Sequence, residues 1–222
     1  MDRPIFVISD LHMGDGGAHD EFAVGTGKEQ FELFLDYVDQ HEGELVVLGD
    51  LFKFGQINLD MIIVLSTPWL NRFAAMNATY VVGNHDAILN NLSGSEFLAH
   101  PFFRKMSGPF ERQIGGRRFK FMHGHEVDPS RPMLIKQLST AQKSKWHSRM
   151  IGLYCQDKEA NGYDTAIVGH THCPGRIGNW YFNSGTWIGE RNSFARIDPD
   201  GAAAVFDWVN GKPISNNTVL EM

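Results

Sequence analysis

Cysteine is scarce in this sequence, and long apolar runs are missing from it. Only Cys155 and Cys173 occur among 222 residues, which predicts reduced thiols, a reducing compartment and no disulfide framework. Apolar runs reach five residues, as at Met61 to Leu65, whereas a membrane-spanning helix needs roughly 18. The sequence therefore predicts a cytoplasmic protein without a transmembrane segment, and it leaves peripheral contact with the inner face of a membrane open.

Basic residues are also fewer than acidic ones. Lysine and arginine total 20 against 26 acidic residues, which gives a formal net charge of −6. Because broad binding of nucleic acid relies on positive charge, this balance disfavours nucleic acid as a partner. The hydrophobic fraction of 42% and the charged fraction of 21% are typical of a globular protein. The length favours one domain over residues 1–222.

The first fifty residues have the pattern of a β-α-β unit. Ile5 to Ser9 is a short apolar run rich in β-branched residues, as in a buried strand. Thr26 to Glu29 has the spacing of a capping box and predicts the start of a helix of about 13 residues. The apolar face of that helix comprises Phe31, Phe34, Leu35 and Val38. Leu45 to Leu48 is the second strand, so the two strands should be parallel and joined by a right-handed crossover.

The remaining pattern alternates between helical and strand-like stretches. A helix is predicted from about Leu59 to Met76, with an interruption at Thr67-Pro68 because proline cannot continue a helix. Gly115-Gly116 separates the two arms of a predicted β-hairpin. Further strands are predicted at Thr79 to Val82, Thr165 to Val168, Trp180 to Phe182 and Ala202 to Val209, followed by a loose tail at Gly211, Pro213 and Asn216-Asn217.

Five short polar motifs follow strand-like runs. They are Asp10-Leu11-His12, Gly49-Asp50, Gly83-Asn84-His85-Asp86, His123-Gly124-His125 and Gly169-His170-Thr171-His172. An α/β fold gathers such strand ends in one crevice. Side chains two apart in an extended segment point the same way, and a carboxylate on a neighbouring strand can bridge two cations. Nitrogen and oxygen donors without thiolate indicate a two-metal hydrolytic centre.

This ordered set resembles the calcineurin-like metallophosphoesterases over residues 5–186, and Asn183 to Trp187 is also typical of that family. The resemblance implies a four-layer α/β/β/α sandwich, with two mixed sheets flanked by helices and a dinuclear site at the sheet edge. It also implies two divalent cations, Mn in the first place and Fe or Zn as alternatives. Metal one would take Asp10, His12, Asp50 and His172, and metal two would share Asp50 and take Asn84, His123 and His170.

The same resemblance gives His85 a role beside the ligands. It would steady the phosphoryl group or protonate the leaving oxygen, and Asp86 would orient it. A structural loop residue is the alternative for His85. His125 lies two residues beyond a ligand, where it would either contact the substrate or serve as a structural histidine.

A narrower resemblance is to the branch that contains the UDP-2,3-diacylglucosamine hydrolases, which cleave a pyrophosphate bond and carry a helical lid. Residues 131–160 lie where such a lid would be, and they form two helices or one bent helix in this interpretation. The residues proposed to hold a diphosphate are Lys136, Lys143 and Arg149, and the Leu, Met and Trp residues would meet an apolar tail. An amphipathic helix pair that packs on the core is the alternative. His85 departs from that branch, whose best-known members have arginine there.

Three functions follow from these patterns. The first is a metal-dependent hydrolase of a small or lipid-linked phosphodiester or pyrophosphate. The second is a phosphodiesterase or nuclease of the same fold that acts on cyclic nucleotides or DNA, against which the acidic balance counts. The third is a non-catalytic scaffold, which should have lost ligands, whereas this sequence retains all of them.

Overall fold

Two mixed β-sheets face each other, and helices cover their outer faces. The computed structural model describes residues 3–17, 20–23, 27–54, 59–129 and 140–220. Its helices are α1 (Gly27–Gln40), α2 (Leu59–Ala75) and α3 (Thr140–Asn161), with short 3₁₀ helices at Ala87–Leu92 and Pro101–Lys105. Its strands are β1 (Ile5–Ile8), β2 (Glu44–Leu48), β3 (Thr79–Val81), β4 (Met106–Ser107), β5 (Phe110–Ile114), β6 (Arg117–Phe121), β7 (Thr165–Val168), β8 (Gly175–Ile177), β9 (Tyr181–Asn183), β10 (Trp187–Ile188), β11 (Arg191–Ile197), β12 (Ala203–Val209) and β13 (Lys212–Ser215).

Both sheets combine parallel and antiparallel pairs. The first has the strand order β13-β12-β11-β1-β2-β3-β4, with β10 paired to β11, and the second has the order β5-β6-β7-β9-β8. Strands β1 to β4 are parallel neighbours, as are β6, β7 and β9. In the predicted β-α-β unit, Ile5 lies opposite Glu44 and Ile8 opposite Val47. The predicted fold class and the parallel pairing of the first two strands are confirmed.

The alternation of side chains along the strands explains the layers. One face of β1 and β2 packs against the second sheet, and the other packs under α1 and α2. Between the sheets lie Ile5, Val7, Val46, Leu48, Phe119, Phe121 and Ile167. Towards the helices lie Phe6, Ile8, Leu45 and Val47, together with the predicted apolar face of α1. Apolar residues in these strands are therefore buried on both faces.

Helix α3 covers the outer face of the second sheet. Met150, Ile151 and Tyr154 are buried against Val168 and Tyr181. The described part of the predicted insertion is therefore one helix whose apolar side chains pack on the core, while residues 130–139 lie outside the described part of the chain. Among the described helices, none combines the length and apolar character needed to cross a membrane.

The predicted interruption at Thr67-Pro68 is wrong. Helix α2 runs through Pro68 without a break. Proline removes one helical hydrogen bond and its ring crowds the carbonyl oxygen four residues earlier, at a cost of about 3 kcal/mol, but its φ is itself helical. Ile62 on one side of Pro68 and Phe73 on the other are buried in the same core, and this packing holds both halves in one helix.

The predicted loose tail is also wrong in its first part. Residues after Gly211 form β13, which pairs antiparallel with β12, and Trp208 lies opposite Pro213. Asn210 and Gly211 both have positive φ, at 50° and 75°, which matches the tight turns that join two strands. Pro213 is compatible with this strand because β13 is at the edge of its sheet.

Candidate metal centre

The polar motifs meet where the parallel strands of the two sheets end. Asp10, Asp50 and Asn84 follow β1, β2 and β3 of the first sheet. His123 follows β6, and the loop of His170 follows β7 of the second sheet. Carboxyl ends of parallel strands share one edge of a sheet, and the facing sheets bring their two edges together. The expectation that the five motifs share one crevice is confirmed.

Left-handed backbone occurs at the ligands of three of the five motifs. In the described part of the chain, eight non-glycine residues have positive φ, and five of these are the candidate ligands Asp10, His12, Asp50, His170 and His172. Asp10 and His12 therefore depart from the extended segment that was expected, although their N–H groups still donate to Gly49 and Asp50. His170 and His172 lie in a loop, one of the two geometries expected there. A left-handed conformation costs a residue with a Cβ roughly 1–2 kcal/mol, and such strain concentrates at functional sites.

Three glycines allow the motif loops to approach one another. A Cβ at Gly49 would lie 2.6 Å from the Gly83 Cα and from the His123 Nδ1, and one at Gly83 would lie 2.2 Å from the Asp50 N and Oδ1. At Gly169 it would lie 2.7 Å from the Asp10 Oδ2. These distances are shorter than any side chain tolerates. Glycine before Asp50, Asn84 and His170 is therefore a packing requirement of the site.

The first group of ligand atoms comprises Asp10, His12 and His172. The His172 Nε2 lies 3.2 Å from the Asp10 Oδ1 and 3.3 Å from the His12 Nε2. The His12 Nε2 lies 3.8 Å from the same Asp10 oxygen. Asp10 is fully buried, and its Oδ2 accepts a hydrogen bond from the backbone N–H of His170 at 2.9 Å. One oxygen of Asp10 is thus held by the backbone, and the other faces the two imidazoles.

The second group comprises Asp50, His123 and His170, with Asn84 beside it. The His123 Nε2 lies 3.2 Å from the Asp50 Oδ2 and 3.2 Å from the Asn84 Oδ1. The His123 Nδ1 is 2.6 Å from the Leu48 carbonyl oxygen, which sets the orientation of the ring. One ligand atom from each of Asp50, His123 and His170 lies within 4.8 Å of the other two.

Asp50 lies between the two groups. Its Oδ2 is 3.2 Å from the His123 Nε2 and 3.9 Å from the His12 Nε2. Its Oδ1 accepts the backbone N–H of His85 at 2.8 Å. The His85 Nε2 lies 4.0 Å from the Asp50 Oδ2, and the His85 side chain keeps 39% of its surface exposed. A carboxylate in this position is the arrangement expected of a bridging ligand.

The donor atoms fit divalent cations. Ligands about 2.1 Å from a tetrahedral ion lie about 3.4 Å apart, and the separations within the first group are 3.2, 3.3 and 3.8 Å. Imidazole nitrogen with carboxylate and carboxamide oxygen suits Mn, Fe and Zn. His12, Asp50 and His85 form a further set of atoms within 4.8 Å, so geometry alone also permits His85 as a ligand.

The buried carboxylates of Asp10 and Asp50 give the site negative charge, which a protonated His123 offsets in part. Burial alone raises the pKa of Asp50, but His123 outweighs that effect and lowers the pKa to about 2. Burial of Asp10 is likewise opposed by His172 and His123, which hold its pKa well below the usual range. Against the effect of burial, Asp50 and Asp10 raise the pKa of His123 to about 10. This potential favours positive charge among the ligands.

Comparison with family models now identifies the group to which this geometry belongs. Residues 3–188, most of the chain, match the model of the calcineurin-like phosphoesterases. The chain belongs to the calcineurin-like phosphoesterase family. The family resemblance of the motifs is confirmed, and so is the predicted enzyme class, a metal-dependent phosphoester hydrolase. The narrower branch of UDP-2,3-diacylglucosamine hydrolases receives no support from the match.

Solved structures share the phosphoesterase fold at low sequence identity. Vacuolar protein sorting 29 from Cryptosporidium parvum is 17% identical, with a TM-score of 0.56 over 96% of this chain and 95% of that one. Vps29 from Entamoeba histolytica, solved with Zn²⁺, is 16% identical, with a TM-score of 0.52 over 98% and 99%. Protein PH1004 from Pyrococcus horikoshii is 12% identical, with a TM-score of 0.53 over 96% and 88%. These likenesses concern the fold alone. No curated protein sequence matches the chain.

Within this phosphoesterase, Asp86 has other contacts than expected. Its buried carboxylate accepts the backbone N–H groups of Leu51, Phe52 and Gly83 at 3.0–3.2 Å. His85 and Asp86 both belong to the described residues, and no hydrogen bond joins the Asp86 carboxylate to the His85 ring. Burial and the charge of Asp50 raise the pKa of Asp86 to about 6. Asp86 therefore joins the loop after β2 to the loop after β3, and a role in orienting His85 stays a prediction.

The four residues expected to contact the substrate differ in where the structure places them. The His125 ring centroid lies 5.3 Å from that of His123 and 6.3 Å from that of His170, so His125 is at the site. Arg149 is exposed on α3, and Lys143 belongs to the same helix. Lys136 lies outside the described residues.

Sequence patterns missed the polar residues that hold the ligand loops. The Thr186 Oγ1 donates to the Asp10 carbonyl oxygen at 2.8 Å, and the Ser9 and Ser184 hydroxyls are 2.8 Å apart. The Asn183 amide contacts the loop that follows β7. The available signal was a run of small residues, Asn183 to Thr186, at the end of a buried strand, but no spacing rule assigns such a run to a partner.

Proposed function

We propose that this phosphoesterase hydrolyses a small phosphodiester with two divalent cations held by the residues predicted from the motifs. Asp10, His12 and His172 hold one cation, Asn84, His123 and His170 hold the other, and Asp50 is shared. The position of Asp50 carries this proposal, because its Oδ2 faces His12 of one group and His123 of the other at 3.9 and 3.2 Å.

Two histidines near the candidate ligands are available to contact the substrate. When bound, two such cations neutralise phosphate oxygens and lower the pKa of a water molecule for in-line attack. His85 is exposed on the side of the first group, and the half-buried His125 lies on the side of the second. We assign His85 to the phosphoryl group or the leaving oxygen, and His125 to contact with the substrate. Mn is the proposed metal, with Fe and Zn as alternatives.

The surroundings favour a small substrate over a lipid-linked one. Two apolar residues of α3 that could meet an acyl chain pack in the core instead, since Met150 and Tyr154 are 1% and 0% exposed. Leu134 and Leu138 of the predicted lid lie outside the described residues. The net charge of −6 disfavours nucleic acid as the substrate. A cyclic nucleotide or another small diester is therefore the proposed substrate class. A screen with Mn, Fe or Zn should compare such diesters with UDP-diacylglucosamine and single-stranded DNA.

The test of the dinuclear proposal is the variant Asp50→Asn. It keeps an oxygen for the His85 N–H but removes the charge that two cations share. We expect hydrolysis of bis-p-nitrophenyl phosphate with Mn to fall by at least about 100-fold, and bound Mn to fall below two per chain. Asp36→Asn is the matched control, because Asp36 is an exposed residue of α1 that pairs with Arg72 of α2. It should leave the rate of hydrolysis and the bound Mn unchanged. Full activity of Asp50→Asn with unchanged Mn stoichiometry contradicts the proposal.

A further inference from the structure

Asn183 is a buried amide that holds the loop between Gly169 and His172. It is fully buried at the end of β9. Its Nδ2 donates to the Gly169 carbonyl oxygen at 2.8 Å and to the Thr171 Oγ1 at 3.0 Å. Its Oδ1 accepts the backbone N–H of Gly185 at 2.8 Å. Because one partner is a carbonyl and the other an N–H, only one orientation of the amide satisfies both.

The loop that Asn183 holds has a special place in the site. His170 belongs to the second group of ligand atoms, and His172, two residues later, belongs to the first. Both have left-handed backbone, with φ of 66° and 56°, a conformation that is unfavourable for a residue with a Cβ. Hydrogen bonds from Asn183 on either side of His170 offset part of that cost. Any shift of this loop would move one ligand of each group together.

We propose that Asn183 is a positioning residue that sets the spacing between the two cation sites through the Gly169 to His172 loop. The inference rests on the proposed function. Thr186 provides the comparison, since its hydroxyl donates to the carbonyl oxygen of Asp10, which belongs to the first group only. Loss of the Asn183 amide should therefore weaken both sites, whereas loss of the Thr186 hydroxyl should weaken one.

Asn183→Asp tests this with little change of size. It places an oxygen where the Nδ2 now donates to the Gly169 carbonyl, so the loop loses its attachment. Mn binding to metal-free protein should be measured by calorimetry for wild type, Asn183→Asp and Thr186→Val. We expect both binding steps of Asn183→Asp to weaken by about 10- to 100-fold, and only one step of Thr186→Val to weaken. Electron paramagnetic resonance of the Mn-loaded variant should show a changed coupling between the two ions.

The outcomes separate positioning from stability. If Asn183→Asp lowers the melting temperature of the metal-free protein while both Mn affinities and the coupling stay at wild-type values, Asn183 is merely structural and the inference is overturned. If Asn183→Asp does not fold, Thr171→Val removes one acceptor of the same amide. A smaller loss at both steps is then expected, and unchanged affinities overturn the inference. A wild-type protein that binds fewer than two ions overturns the proposed function, and this inference with it.

Discussion

Glycine at position 83 shows how closely single residues control this site. Gly83 precedes Asn84, and a Cβ there would lie 2.2 Å from the Asp50 N and Oδ1. The Asp50 loop and the Asn84 loop can therefore pack together only if this position lacks a side chain. The requirement arises from close approach, because Gly83 does not have the positive φ that Gly49 has.

Gly83→Ala should therefore displace Asp50. Overpacking of this kind costs about 1–3 kcal/mol of the free energy of unfolding, and we expect Mn affinity to fall with it. Chemical denaturation and calorimetry measure the two effects. Gly108→Ala is the matched control, since a Cβ there has no neighbour within 4 Å. A Gly83→Ala protein with wild-type stability and Mn affinity would show that the loops adapt to the methyl group.

The position of His85 is compatible with two roles, one at the phosphoryl or leaving group and one as a metal ligand. If it acts on the phosphoryl or leaving group, His85→Ala should lower kcat by about 100-fold or more, with bound Mn unchanged. Steady-state kinetics and metal analysis of the same samples measure this. His41→Ala, at an exposed histidine after α1, should change neither. Parallel loss of Mn and turnover would instead make His85 a ligand, as the set of His12, Asp50 and His85 permits.

Among the structural elements, the loops after β2 and β3 depend on one carboxylate. Asp86 accepts N–H groups from Leu51 and Phe52 of one loop and from Gly83 of the other. These donors are buried, so they have no ready replacement in water. The contacts explain why an acidic residue follows His85 even though it does not bond to the His85 ring.

Asp86→Ala should leave those N–H groups without an acceptor. A buried group left unsatisfied costs about 1–3 kcal/mol, so we expect the free energy of unfolding to fall by at least about 2 kcal/mol. Urea denaturation measures it, with Asp36→Ala as an exposed control that should change stability by less than about 1 kcal/mol. Equal stability of the two variants would mean that the loops hold together without Asp86.

At the scale of the whole molecule, each ligand group joins the two sheets. Asp10 and His12 follow β1 of the first sheet, and their partner His172 follows β7 of the second. Asp50 follows β2, and its partners His123 and His170 follow strands of the second sheet. A cation in either group is therefore bound only when both sheets are in place, so metal binding and folding are coupled.

Divalent cations should accordingly raise the melting temperature. At a free concentration 100 times the Kd, one site adds about 2.7 kcal/mol to the free energy of unfolding. We expect Mn to raise the melting temperature of metal-free protein and EDTA to reverse the change, as followed by calorimetric scans. In Asp50→Asn the increase should be smaller. An unchanged melting temperature at saturating Mn would contradict the coupling of metal binding to folding.

Predictions from local patterns succeeded where the pattern itself determines the conformation. Apolar runs marked the buried strands, the spacing of Phe31 to Val38 marked the inner face of α1, and Gly115-Gly116 marked a hairpin. They failed where distant packing decides. Pro68 stays inside α2 because both halves of the helix share a core, and β13 forms because the edge of β12 is available.

The sequence by itself determined the candidate donor atoms, their order and the family, because residue types and strand ends are local properties. It could not assign Asp86, whose partners are backbone N–H groups of a loop 34 and 35 residues away. Nor could it show that five of the seven candidate ligands have left-handed backbone, or that Asn183 holds the loop of His170 and His172. Only the tertiary structure decided these points, because they depend on which backbone groups the two sheets bring within hydrogen-bonding distance.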